Sequence, residues 1–100
     1  MRLIVHDDAG RELEEDAAFY EHRQADLGAD LLEESNRALV TISEAPRVWP
    51  LVRRSRTVRR FHLTRFPYTV FYLIHEDELR ILAFAHTRKR PGYWRSRRFT

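Results

Sequence analysis

The chain has 100 residues, which suits a single domain spanning 1–100, long enough to bury roughly two-thirds of the surface its unfolded form exposes. With 43% hydrophobic and 33% charged residues and a net charge of +3, its composition is that of a globular protein and excludes a disordered one. It has no cysteine, so disulfides and thiolate chemistry are excluded and a cytoplasmic location is expected. The apolar run at the N-terminus is too short for a signal peptide, and no stretch of about eighteen apolar residues offers a membrane span.

Leu3-Ile4-Val5 is a short β-rich run closed by His6-Asp7-Asp8, where Asp7 or Asp8 is placed to cap a helix. From Ala9 to about Asp26, Ala9, Leu13, Ala17 and Tyr20 recur at helical spacing, with Glu12, Glu14, Glu15 and Asp16 turned outward. Leu27-Gly28 breaks the period, and Gly28 is expected to take the left-handed conformation that ends a helix. A second helix is expected from about Ala29 to Glu44, with Leu31, Ser35, Ala38, Leu39 and Ile42 on its inner side and Pro46 as its stop. So short a link implies an antiparallel hairpin.

Arg47 to Thr57 reads as a loop carrying Arg53, Arg54 and Arg56, and Trp49 is expected to plug the end of the hairpin. Val58 to Leu63 alternates Arg59, Phe61 and Leu63 on one face with Arg60 and His62 on the other. Phe66-Pro67 makes a corner into a strand from Tyr68 to His75, and Glu76-Asp77-Glu78 turns into a last strand from Leu79 to His86. Both of these strands are apolar on both faces, which places them centrally in the sheet. The expected fold is an α+β domain of order β-α-α-β-β-β, an antiparallel helix hairpin packed on a mainly antiparallel four-stranded sheet.

Few chemistries are offered. The five histidines show no metal-ligand spacing, the three glycines are isolated, and no serine sits in a context suited to a catalytic triad. No metal and no cofactor are expected. What remains is a set of cations: Arg60 and His62 on one strand face, Arg65 at the corner, and His86, Arg88, Lys89 and Arg90 after the last strand, with Tyr93 and Trp94 placed to close the region. Guanidinium groups grip phosphates and carboxylates through paired hydrogen bonds. Aromatics can stack on bases or fill a partner's pocket, although Trp94 by itself reads better as packed on the sheet. Charge is also segregated: residues 1–46 carry 4 Lys/Arg against 12 Asp/Glu, and residues 47–100 carry 14 against 3. The two halves can complement each other internally, the basic half can meet a polyanion or an acidic protein, and both can hold at once.

The element order, the phrase Arg65-Phe66-Pro67-Tyr68 before an aromatic-rich strand, and the ending His86-Thr87-Arg88-Lys89-Arg90-Pro91-Gly92-Tyr93-Trp94 resemble the RelE/ParE superfamily of toxins. These belong to bacterial type II toxin–antitoxin modules and are often labelled plasmid stabilisation proteins. The resemblance implies a toxin held inactive as a hetero-oligomer by an antitoxin whose acidic C-terminal segment wraps over it, with promoter DNA bound only through the antitoxin. It also implies one of two targets. RelE-like members cut mRNA in the ribosome, and that pattern would assign Arg60, His62, Arg88 and Tyr93 to catalysis. ParE-like members are not nucleases and poison DNA gyrase. The RelE group has an arginine where this chain has Thr69, and His86-Thr87-Arg88 looks closer to the ParE group, so gyrase is the favoured target. A toxin-like fold without activity is a third option. The residues expected to contact partners are Arg59, Arg60, Arg65, His86, Arg88, Arg90 and Trp94.

Overall fold

The computed structural model describes residues 1–99. Strand β1 (Arg2–Val5) leads into helix α1 (Asp7–Arg23) and helix α2 (Leu27–Glu44), followed by β2 (Arg59–His62), β3 (Tyr68–His75) and β4 (Glu78–His86). The sheet order is β1-β4-β3-β2, with β1 parallel to β4 and the other pairs antiparallel. The two strands that are apolar on both faces are thus the central ones, because only there do both faces lose water.

Helix boundaries shift for local reasons. Asp7 and Asp8 fall inside the first turn of α1, and His6 caps it instead, its Nδ1 accepting from the Asp8 N–H at 3.1 Å. Gly28 does not end a helix in the left-handed region. Asp26 takes that conformation, with φ 72°, and Gly28 lies in the first turn of α2. Its role is close approach: a Cβ there would sit 2.1 Å from the carbonyl oxygen of Ala17, so α2 crosses α1 nearly backbone to backbone. The turn is held by Glu21, whose carboxylate accepts from the N–H groups of Asp26, Gly28 and Ala29. Those bonds, the one from Asp26 foremost, hold the Glu21 carboxyl below its usual range, with partial desolvation opposing them.

Ala9, Leu13 and Ala17 of α1 and Leu31, Ala38 and Ile42 of α2 bury against Tyr68, Val70, Tyr72, Leu79, Ile81 and Phe84 of the sheet. Each fully buried Leu or Ile contributes roughly 1.5–3 kcal/mol. Trp49 packs on the rim of this core, edge-on to Phe61 of β2 at 4.7 Å.

The other sheet face is also covered, and by the tail. A register shift leaves Leu82 without a partner between Tyr72↔Ile81 and Phe71↔Ala83, so Leu82, Ala83 and Ala85 all join the outer cluster. Trp94 lies over it, 3% exposed and stacked on Phe71 at 4.6 Å, with Tyr93 and Phe99 beside it. Gly92, at φ 76°, turns the chain back to allow this. Arg97 fastens the tail by donating to the Leu82 carbonyl at 2.9 Å and to the Glu12 carboxylate on α1.

Candidate functional site: the basic edge of the sheet

The antiparallel register sets His62 opposite Thr69, Tyr68 opposite His86, and Thr69 opposite Ala85, so the cationic ends of β2 and β4 flank the start of β3. On β2, the Arg60 guanidinium lies 3.4 Å from His62 Nε2, and His62 Nδ1 lies 2.7 Å from the Thr69 hydroxyl. A guanidinium can only donate, so Nε2 is the acceptor and Nδ1 carries the hydrogen given to Thr69. Thr69 is therefore built in: it is 6% exposed and orients the histidine. Arg59 is occupied with structure, donating to the Trp49 carbonyl at 2.6 Å. Arg65 extends over the Phe66 ring and pairs with Asp30 at 3.0 Å.

On β4 and beyond, His86 stands edge-on to Tyr68 at 5.1 Å, and its Nδ1 accepts from the Arg88 N–H at 3.0 Å. The Tyr68 hydroxyl donates to Asp16 at 2.8 Å; burial first and that acid second push its phenol well above the ordinary value. Arg88 is exposed and lines a shallow hollow of about 310 Å³ with Asp16, Phe19 and Tyr20 of α1. Arg90 is exposed and borders a second cavity, of about 220 Å³, with Thr69 and Phe71 on its wall. Tyr93 reaches that cavity from the tail, with the Lys89 ammonium and the Arg97 guanidinium over its ring at 5.3 and 5.2 Å from the centroid. Burial, and then the charge of Glu12, raise its phenol. Trp94, expected among the contacting side chains, is covered by its own packing on Phe71 and leaves almost no surface for a partner.

The two hollows adjoin, sharing His86 and Lys89, and Thr69, the partner of His62, stands on the wall of the one that Tyr93 reaches. Arg60 contacts His62, and His62 bonds to Thr69, while Arg88 and Tyr93 line different hollows with no hydrogen bond or ion pair to either among the described residues. Cleaving a phosphodiester needs a cation on the phosphate and a proton carrier on the same reacting centre. Arg95, which also lines the 220 Å³ cavity, was not singled out from the sequence. Lys89 stood in the basic run, but nothing marked which members of that run face a cavity. No group of three or more potential metal ligands occurs among the described residues, and no helix there is long and apolar enough to cross a membrane.

A helix hairpin on a mixed four-stranded sheet, with a cationic strand edge and a packed basic tail, defines a small α+β protein built around a basic surface. A family model for the ParE toxin of the type II toxin–antitoxin system parDE matches residues 3–91, and the chain belongs to that family. Among solved structures, a chain described as the chromosomal ParDE TA system from P. aeruginosa shares the fold, with a TM-score of 0.64 at 17% identity, covering 86% of this chain and 95% of that one. No curated protein matches.

Proposed function

We propose that this chain is a growth-arresting toxin that inhibits DNA gyrase by binding it in the cytoplasm, and that a cognate antitoxin neutralises it in a hetero-oligomer through an acidic segment. The family match over residues 3–91 carries this reading. The arrangement around Thr69 supports a binding protein over a nuclease, since the His62 Nε2 that would move a proton faces the Arg60 guanidinium. The exposed Arg88 and Arg90, together with Arg60, supply charge for carboxylates on either partner. Expression of the chain alone should arrest growth, and co-expression with the product of the adjacent reading frame should relieve the arrest. Growth arrest accompanied by mRNA cuts in translating ribosomes, with gyrase unaffected, would overturn the gyrase assignment and favour the RelE-like alternative.

A further inference from the structure

The segregation of charge is answered within the molecule only in small part, by Arg65 with Asp30 and Arg97 with Glu12. Of the 14 Lys/Arg in residues 47–100, only Arg65, Arg80 and Arg97 have a carboxylate at ion-pairing distance among the described residues, leaving 11 without one. The 3 acids of that half, Glu76, Asp77 and Glu78, sit at the β3–β4 turn, at the opposite end of the strands from the cavity beside Thr69 and Ala85. Two arms of these unanswered cations meet at that cavity. One is the turn of Arg53, Arg54 and Arg56, all exposed, which adjoins the cavity through Val52. The other is the tail, which brings Lys89, Arg90 and Arg95 to the cavity's rim.

The arginine turn is preorganised. Arg54 holds φ 66°, a left-handed conformation that glycine or asparagine adopts at lower cost. Ser55 locks the turn, its N–H bonded to the Val52 carbonyl and its hydroxyl accepting from the N–H groups of Thr57 and Val58. Between the arms the cavity wall is Phe71 and Ala85, an apolar floor inside a cationic rim. The core of a protein interface is depleted of charged residues, whereas six cations converge on this one slot. Cations flanking a slot with an aromatic wall suit instead a chain of phosphates carrying flat bases.

We infer that the chain itself binds nucleic acid through phosphodiester contacts at this face, with the 53–56 turn and the 89–95 tail as the two arms. The inference stands apart from the gyrase reading and does not need cleavage. It is tested by anisotropy of a labelled random-sequence DNA duplex, and of its single strand, titrated with the purified full chain. A Kd in roughly the micromolar range that weakens steeply with salt is expected, as for sequence-independent phosphate binding. Arg54→Gln combined with Arg90→Gln should weaken binding about tenfold and lower the salt slope by about two, near one per cation removed. The corresponding Lys pair should keep most of the affinity, because the charge remains, and Arg37→Gln on α2 should change nothing. Tighter binding of the single strand would assign the slot to bases, and tighter binding of the duplex would assign the arms to a groove; either supports the inference. Failure to bind both forms, indifference to the double Gln variant, or equal or tighter binding of a poly-glutamate peptide would overturn it. Supercoiling assays on the same samples separate the two readings: gyrase inhibition without DNA binding sinks only this inference, and DNA binding without inhibition sinks only the other.

Discussion

Replacing Gly28 with alanine sets two effects against each other, and the structure decides between them. In a helix, alanine is favoured over glycine by about 1 kcal/mol. Against this, the new Cβ would lie 2.1 Å from the Ala17 carbonyl oxygen and 3.0 Å from Glu21 Cβ, where ordinary contact begins near 3.4 Å. The obstacle is backbone and cannot rotate away, so α1 and α2 must part by about 1 Å, which strains the overlying core. Overpacking of this kind costs typically about 1–3 kcal/mol, and more where nothing can yield. Parting the helices also stretches the bond from the Gly28 N–H to Glu21, now 3.0 Å. With the cost at the upper end, about 3 kcal/mol, because the obstacle is backbone, a net loss of about 2 kcal/mol should lower the melting temperature of a domain this size by about 8–16 °C. Gly10→Ala is the internal control: its Cβ would meet only Val5 Cγ1, at 3.8 Å, so propensity should win and the variant should gain up to about 1 kcal/mol. Thermal and urea unfolding followed by far-UV circular dichroism read both. A Gly28→Ala protein as stable as wild type would refute the close-approach reasoning.

Trp94→Ala should cost about 3 kcal/mol, at the low end for a buried tryptophan because a tail can detach, and should expose the tail to protease. Unchanged stability and unchanged proteolysis would show that the outer layer is not held by that ring. The lowered pKa of Glu21 makes its caps favourable above the ordinary carboxyl value of 4.5, and that contribution is lost as pH falls through the folded value. Glu21→Gln should therefore flatten part of the acid limb of a stability–pH curve, and a limb identical to wild type would contradict the assignment. Burial, partly offset by Arg59, pushes the Tyr72 phenol up to about 12, so its contribution is intact below pH 10 and lost as pH rises towards 12. A Tyr72→Phe variant should lack that alkaline loss in denaturant titrations; an alkaline limb that is unchanged would place the loss elsewhere.

The helix hairpin and the two central strands were legible because their apolar periods run long enough to be unambiguous, from Ala9 to Tyr20, Leu31 to Ile42 and Tyr68 to His86. The outer layer was not. Residues 91–99 have neither a helical nor a strand period, and the two features that dock them, the Trp94 stack and the Arg97–Glu12 pair, span contacts over 23 and 85 positions. Glu21 gave no signal as the cap of α2 because it sits five to eight residues from the N–H groups it serves, outside the usual N-cap pattern. The cations of the candidate site were visible as residue types. Their division between structural work, as in Arg59 and Arg97, and exposure, as in Arg88 and Arg90, depends on contacts that only the fold creates.

The central claim is best tested by adding purified protein to DNA gyrase and relaxed plasmid and following supercoiling. Dose-dependent loss of supercoiling or trapped cleaved DNA, reversed by the antitoxin, is the result expected. Gyrase left fully active by a folded chain that still arrests growth would contradict it.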